Sequence, residues 1–184
     1  PRGLGLPRLM LQSAQAELPA ERPGQVEVRF GADIAPGGFA WAVPVMRQSG
    51  ASVRVGVMCD GDARRYYSLM LDWVSRRWGV RADGPTPRQK ILPLAPITRT
   101  YGDRVLAVGD AAGLVKPTTG GGIYYSLLSG QLAAETLAGA LRRNQLQRDS
   151  LFAYEKAWRK HLGSELRWQL ILRRIAQRMS DADI

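Results

Sequence analysis

The residues best suited to chemistry lie between positions 103 and 130, where a carboxylate precedes a glycine-rich loop. The mostly apolar segment 104–108 predicts a short buried strand that ends beside Asp110, and a helix is predicted to begin at Ile123. A carboxylate at the end of a strand can accept hydrogen bonds from ligand hydroxyl groups, and small residues after it let a ligand approach the backbone closely. Glycines 120–122 would leave backbone N–H groups free at the helix N-terminus, whose partial positive charge suits an electron-rich or anionic group. A plain strand–loop–helix unit that uses glycine for its turns fits the same pattern.

This segment resembles the second FAD-binding motif of the para-hydroxybenzoate hydroxylase-like flavoproteins, and within them it most closely resembles the geranylgeranyl reductase family. Members of that family carry the block G-D-A-A-G-x-x-x-P-x-x-G-x-G-I, which this chain matches from Gly109 to Ile123. The resemblance implies that Asp110 binds the ribityl chain of FAD and that the three loop glycines face the pyrimidine edge of the flavin. The cofactor-binding residues that it implies are Gly109, Asp110, Gly113, Pro117, Gly120, Gly121, Gly122 and Ile123.

A second resemblance to the same family covers 35–44, where A-P-G-G-F-A-W-A-V-P matches the family's A-P-G-G-Y-x-W-x-F-P. In the family this segment lines the cavity for a lipid substrate, which implies substrate-binding roles for Phe39, Trp41 and Pro44. Phe39 replaces a tyrosine, a valine replaces the later phenylalanine, and the G-x-G that follows keeps only its second glycine, Gly56. These departures leave the substrate open. For Trp41, packing in a core and lining a cavity fit the alternating pattern equally well.

The remaining pattern predicts an α+β fold with an antiparallel sheet, and the resemblance implies that this sheet belongs to a substrate domain. Alternating apolar residues predict three strands with short connections, near 25–32, 38–44 and 51–58. Residues 1–23 are predicted to be an irregular lead-in. Residues 83–96 contain four prolines and are predicted to be mostly extended loop.

Helical spacing predicts three further elements. The first helix covers 62–78, with Asp62 as its N-cap and Gly79 as its stop. The second covers 123–141 and opens on two tyrosines, for which contact with a ligand and core packing both fit. The third, at 151–179, is a basic amphipathic helix or a pair of helices.

We expect three functional parts along the chain. These are a substrate-binding portion at 1–100, the C-terminal part of an FAD-binding domain at 101–142, and a C-terminal helical segment at 143–184. Members of the resembled family begin with a strand, G-x-G-x-x-G and a helix that bind the ADP half of FAD, and this sequence contains no such motif. The sequence therefore predicts the C-terminal part of a longer enzyme, which self-associates or pairs with a missing N-terminal domain.

Composition narrows the class of partner. The 184 residues have a formal net charge of +10, which suits nucleic acid, an anionic membrane or an anionic ligand, but no nucleic-acid recognition motif accompanies it. One histidine, His161, excludes a histidine metal cluster, and the lone Cys59 is interpreted as a small apolar residue. A single cysteine and no membrane-length apolar run favour a cytoplasmic location. The basic C-terminal region leaves peripheral contact with an anionic membrane as an alternative to a solvated helix face.

Together the resemblances imply an FAD-dependent oxidoreductase that reduces isoprenoid double bonds of the geranylgeranyl type in lipid biosynthesis. Reduced FAD would supply the hydride, with NADPH or another reductant as electron donor, while the protein binds, orients and dries the site. No catalytic residue is assigned. A flavin-dependent monooxygenase or halogenase of the same fold and an inactive truncated binding module are the alternatives, and the 39–44 segment favours the reductase.

Overall fold

The computed structural model describes residues 3–81 and 84–179, which fall into two compact units. Residues 11–91 form one, termed the sheet unit, and residues 3–10 with 92–178 form the other, termed the helical unit. Helices and an antiparallel sheet are both present, so the predicted α+β class is confirmed. The assignment of functional parts to 1–100, 101–142 and 143–184 stays a prediction.

The sheet unit is built on five strands in the spatial order β2-β3-β4-β1-β5. Strand β2 pairs antiparallel with β3, β3 with β4, and β4 with β1. The three antiparallel strands predicted from alternation are therefore confirmed as β2, β3 and β4, although β2 has only three residues. The bounds are β1 Met10–Pro19, β2 Glu27–Arg29, β3 Phe39–Arg47, β4 Gly50–Cys59 and β5 Arg88–Pro93.

Helix α1, Ala63–Trp78, covers one face of this sheet. It begins after Asp62, whose carboxylate accepts hydrogen bonds from the N–H groups of the second and third helical residues, and it ends at Gly79 in the left-handed conformation. Both predicted ends are confirmed. Strand alternation turns small and β-branched side chains towards the helix, which brings the backbones close and excludes water from the core. The strand residues of this core are Ala14, Ala16, Leu18, Ala40, Ala42, Val53, Val55, Val57 and Cys59.

Two predictions for the sheet unit are wrong. The predicted irregular lead-in, 1–23, contains the ten-residue strand β1, and the predicted extended loop, 83–96, contains the edge strand β5. Strand β1 is rich in alanine and glutamine, which have weak strand preference, and it is held by its hydrogen-bonded position between β4 and β5. Two of the four prolines precede β5, Pro93 is its last residue and one follows it, so none interrupts the interior of this edge strand, where proline is tolerated.

The helical unit consists of two long helices, a small hairpin and a short 3₁₀ turn. Helix α2 is Ile123–Arg142, as predicted, and α3 is Arg148–Ala176, which settles the third helical segment as one helix. The hairpin pairs β6, Tyr101–Gly102, with β7, Val105–Leu106. The apolar core between the helices includes Tyr125, Leu132 and Ala133 of α2 and Tyr154, Trp158, Leu162 and Leu166 of α3.

The buried strand predicted at 104–108 is much shorter and less buried than expected. Only two of its residues are in β7, both half-buried, and Val108 is exposed. Within the described residues β7 pairs with β6 alone. An apolar run of this kind is typical of a strand with neighbours on both sides, whereas β7 has a hydrogen-bonded neighbour on one side only among the described residues.

A buried polar network closes the far end of the helical-unit core. The Glu155 carboxylate accepts hydrogen bonds from the Thr100 N–H at 2.9 Å and from the Thr100 hydroxyl at 3.1 Å. The Trp158 indole N–H donates to the same hydroxyl at 2.8 Å. All three residues are buried, so each polar group is satisfied by another protein group rather than by bulk water.

Candidate functional site

The candidate site begins at the tight turn that follows β7. Gly109 and Gly113, at either end of the turn Gly109–Ala112, both have left-handed φ values, 53° and 67°. A Cβ atom on Gly109 would lie 2.4 Å from the hydroxyl oxygen of Ser126, and one on Gly113 would lie 2.0 Å from the carbonyl oxygen of Ala95. The protein's own packing therefore requires both glycines, independently of any ligand.

The turn places Asp110 against the start of α2. Asp110 is exposed, and its Oδ1 atom would be only 2.5 Å from a Cβ atom built on Gly122, the N-cap of the helix. Two residues twelve apart in sequence thus meet, and the absence of a side chain at 122 makes the meeting possible. The turn therefore brings together the carboxylate and the glycine-rich helix start, two features that the sequence singled out separately, while their contacts with a cofactor stay a prediction.

The loop between them is closed by its own backbone hydrogen bonds. The Lys116 N–H donates to the carbonyl of Gly121 at 2.8 Å, and the Gly120 N–H donates to the carbonyl of Lys116 at 2.8 Å. Gly120 is left-handed, with φ 71°. Gly121 is exposed and lies outside that region, and a Cβ there would meet nothing nearer than 3.5 Å. The left-handed backbone therefore favours glycine at 120, whereas Gly121 leaves an open approach to the backbone.

The N-terminus of α2 offers both donors and an apolar surface. Gly122 has no side chain to cap the helix, and the first N–H groups of a helix have no intrahelical acceptor. The adjacent exposed side chains are Ile123, 82% exposed, with Tyr124 and Leu127. The two tyrosines diverge, because Tyr124 is exposed whereas Tyr125 is buried in the core. A flat group that is polar at one edge and apolar over its faces matches this combination.

Helix α3 supports the loop through a polar network. The Tyr125 hydroxyl donates to Glu165 at 2.5 Å, and the Gln169 amide donates to Glu165 at 2.8 Å and to the tyrosine oxygen at 3.1 Å. The Thr118 hydroxyl of the loop donates to the Gln169 amide oxygen at 3.1 Å. Burial, together with the hydrogen bond to Glu165, raises the pKa of Tyr125 to about 12, so the phenol stays protonated.

Three of these supporting residues were not identified from the sequence. Glu165, Gln169 and Arg173 recur at intervals of four along α3, so they share one side of the helix. Arg173 is buried, and its guanidinium donates to the carbonyl of Pro117 in the loop at 3.5 Å. A polar stripe that interrupts the core-facing side of an amphipathic helix is the signal that could have revealed them.

In the sheet unit, Phe39 and Trp41 lie on the face opposite α1. The Trp41 indole N–H donates to the amide oxygen of Gln15 at 3.2 Å, and the ring lies over Gly56, where a Cβ would be 2.3 Å from it. The rings of Phe39 and Trp41 are 5.6 Å apart between centroids. Trp41 is half-buried, as expected for a residue on a partly covered face.

The aromatic row and the third predicted substrate residue are separated. Phe30 extends the row, 5.9 Å from Phe39 between ring centroids. Pro44 has the same parity along β3 as the core residues Ala40 and Ala42, so it belongs to the other face of the sheet. The structure therefore brings Phe39 and Trp41 together and does not bring Pro44 to them.

The surroundings of Cys59 and His161, the other residues considered from the sequence, indicate structural roles. Cys59 is fully buried in the sheet-unit core, as interpreted, and burial together with nearby Asp60 and Asp62 raises the pKa of its thiol to about 11. His161 is exposed on α3. Within residues 3–81 and 84–179, no set of three or more histidine, cysteine or acidic side chains is placed to hold a metal ion. No helix in the described part of the chain has the length and apolarity needed to cross a membrane.

Comparisons with known proteins identify the class. Residues 86–180, just over half of the chain, match the family model described as lycopene cyclase protein. A digeranylgeranylglycerophospholipid reductase of Methanocaldococcus jannaschii is 30% identical over 164 residues, covering 86% of this chain and 41% of the relative. The enzyme of the same name from Methanothrix thermoacetophila is 32% identical over 167 residues, covering 86% of this chain and 40% of the relative.

Solved structures agree on the fold. A geranylgeranyl bacteriochlorophyll reductase-like protein of Thermoplasma acidophilum superposes with a TM-score of 0.75 at 22% identity, covering 94% of this chain and 45% of that one. The flavin-dependent halogenase CmlS gives a TM-score of 0.50 at 17% identity, covering 82% and 30%. The chain therefore belongs to the family that the lycopene cyclase model describes, and it is similar in sequence to digeranylgeranylglycerophospholipid reductases and in fold to a geranylgeranyl bacteriochlorophyll reductase-like protein. It spans about 40% of the length of the curated relatives that it matches.

Proposed function

We propose that this chain supplies the flavin-ring and substrate surfaces of an FAD-dependent reductase of isoprenoid double bonds. The observation that carries the proposal is the meeting of Asp110 with Gly122 at the uncapped N-terminus of α2. The relatives are named for reduction of a digeranylgeranylglycerophospholipid, so a geranylgeranyl-type lipid is the proposed substrate. NADPH or another reductant is the proposed electron donor.

The described residues fit a flavin. Asp110 would accept hydrogen bonds from ribityl hydroxyl groups, and the open backbone at Gly121 together with the first N–H groups of α2 would receive the polar edge of the ring. The remaining proposed contacts, Gly109, Gly113, Pro117, Gly120 and Ile123, shape the turn and loop around them. When bound, reduced FAD supplies a hydride from N5.

The sheet unit supplies the proposed substrate surface. Phe39 and Trp41 present adjacent ring faces that suit the methyl-branched chain of an isoprenoid, and the hydrogen bond from the indole to Gln15 fixes one of them. Pro44 ends the matched segment and is not part of this substrate surface, because it lies on the other face of the sheet. Apolar walls of this type bind and orient the chain and exclude water.

A halogenase or monooxygenase is the second candidate, favoured only by the likeness to the CmlS fold. The two candidates differ in what they do to the substrate. A reductase adds two hydrogen atoms to a double bond, whereas the alternatives insert oxygen or halogen. Mass analysis of a geranylgeranyl lipid after incubation with the reduced enzyme distinguishes them.

A matched pair of glycine variants tests the flavin site. The test uses the chain joined to the dinucleotide-binding half of a relative, because the pyrophosphate-binding unit contributes much of the FAD affinity. Gly121→Val should leave the fold intact, since a Cβ at this position meets nothing nearer than 3.5 Å, and yet weaken FAD binding by occupying the approach to the backbone. Gly130→Val, in the helix α2 that follows the loop and with no atom within 4 Å of the added Cβ, is the control and should bind FAD normally.

Asp110→Ala tests the carboxylate in the same protein. Loss of a charge-assisted hydrogen bond of about 1.5–3 kcal/mol should weaken FAD binding roughly ten- to a hundredfold. Asp72→Ala, an exposed aspartate of α1, serves as control. Flavin fluorescence quenching measures both, and an unchanged dissociation constant for Asp110→Ala together with Gly121→Val would refute the proposed site.

A further inference from the structure

The C-terminal half of α3 exposes an apolar stripe on the side of the helix turned away from its core. Trp168 is 66% exposed, Leu172 57% and Ile175 55%, and Ile171 is also exposed. Their spacing of three, four and seven places them in one row along the helix. The core residue Leu166 points in the opposite direction. Four large apolar side chains in one exposed row are more than the scattered exposure normal for a surface helix.

A row of cations runs along one side of α3 and borders this stripe at Arg167 and Arg174. Lys156, Lys160, Arg167 and Arg174 are all exposed and recur at intervals of four and seven, which keeps them on one side of α3. Arg178 follows just past the helix end and is also exposed. Within the described residues none of these five forms an ion pair. Between 156 and 178 the sequence has a single acidic residue, Glu165, which is engaged with Tyr125.

We propose that this surface, the docking face, binds the anionic headgroup layer of a lipid bilayer. The apolar stripe would enter the boundary between headgroups and acyl chains, and the cations along its edge would contact lipid phosphates. Trp168 has the amphipathic ring that favours this boundary, and arginine side chains reach headgroups while their stems cover apolar surface. The proposal extends beyond the proposed flavin chemistry and depends only on the described side chains of α3.

The charge pattern favours a lipid bilayer over two other occupants of the docking face, a second copy of the chain and a nucleic acid. A second copy of the chain would bring one row of uncompensated cations towards another, which opposes self-association through this face. Nucleic acid would satisfy the cations but would leave the isoleucine and leucine side chains exposed. A bilayer with anionic lipids satisfies the apolar and the cationic parts together.

Vesicle co-sedimentation of the purified chain tests the proposal. Vesicles of phosphatidylcholine mixed with phosphatidylglycerol should bind the chain, and vesicles of phosphatidylcholine alone should bind it much more weakly. Ile171→Ser with Leu172→Ser should reduce binding by about tenfold or more, because two apolar side chains no longer enter the boundary. Arg167→Gln with Arg174→Gln should reduce it about 25-fold, from roughly fivefold for each cation near an anionic surface.

Matched controls lie at the end of α2. Leu141→Ser and Arg142→Gln change an exposed leucine and an exposed arginine outside the docking face, and both should bind vesicles like the parent chain. Circular dichroism of every variant should be unchanged, since the substituted side chains are exposed. Equal loss in the controls, equal binding to uncharged vesicles, or binding that survives Ile171→Ser with Leu172→Ser would overturn the proposal. The proposal would also be overturned if the chain sedimented as a dimer that Ile171→Ser with Leu172→Ser dissociates. It would equally be overturned if RNA displaced the chain from vesicles while that variant still bound them as well as the parent chain.

Discussion

The substitution Thr100→Val tests how much the buried network of the helical unit contributes to the free energy of unfolding. The change replaces one hydroxyl with a methyl group and keeps the shape of the side chain. It removes the hydroxyl that donates to Glu155 at 3.1 Å and accepts from the Trp158 indole at 2.8 Å. The Thr100 N–H still donates to Glu155 at 2.9 Å, so the carboxylate keeps part of its hydrogen bonding.

The expected cost follows from the two lost bonds. An indole N–H left buried without an acceptor costs about 1–3 kcal/mol, and a hydrogen bond to a charged carboxylate contributes about 1.5–3 kcal/mol. The added methyl group is fully buried at this position and offsets part of the loss. The free energy of unfolding of the helical unit should therefore fall by about 2–5 kcal/mol.

Urea unfolding followed by tryptophan fluorescence and circular dichroism measures this loss. Thr136→Val is the matched control, because that hydroxyl donates only to the carbonyl four residues earlier in its own helix, at 2.8 Å. Its effect should stay within about 0.5 kcal/mol. If Thr100→Val is no more destabilising than Thr136→Val, the network does not stabilise the fold as argued.

Three further predictions concern other elements. Asp62→Ala should destabilise the sheet unit by about 1 kcal/mol, because two helical N–H groups lose their acceptor; thermal unfolding without a shift would contradict this. Glu17, whose hydrogen bonds from two arginines lower its pKa to about 2, contributes stability above its ordinary value of 4.5 that is lost as pH falls towards 2. Glu17→Gln should flatten that acid dependence in urea midpoints, and an identical profile would argue against the ion pairs. Gly113→Ala should prevent normal folding, with Gly121→Ala as a tolerated control, because the first Cβ would meet a carbonyl oxygen at 2.0 Å; equal yields and melting temperatures would refute the steric argument.

The elements that were predictable from the sequence are those whose preference is local. Helix α1 has a capping aspartate and a terminal glycine, and β3 and β4 alternate clearly, so pattern alone placed them. The family motif placed Asp110 and the glycine loop, but it did not show that Gly109 and Gly113 are already required by packing against Ser126 and Ala95.

The elements that escaped prediction depend on distant partners. Strand β1 has a weak intrinsic preference and forms because β4 and β5 bond to its two edges. The loop supports Gln169 and Arg173 lie more than fifty residues from Thr118 and Pro117, and no local pattern announces such a pairing. Tertiary contact decides both, which is why the alternation and spacing of single segments did not show them.

The indole of Trp41 packs directly on the backbone of Gly56, in the space that a side chain at position 56 would occupy. A larger residue at position 56 cannot be introduced while Trp41 is present, because any side chain there would occupy the space of the ring. Over evolutionary time the two sites should therefore be inherited as a couple: lineages that gain a side chain at 56 should have shed the bulky ring at 41. Such lineages would carry a flatter, differently contoured aromatic face, so the identity of residue 56 alone should report which shape of surface a relative presents.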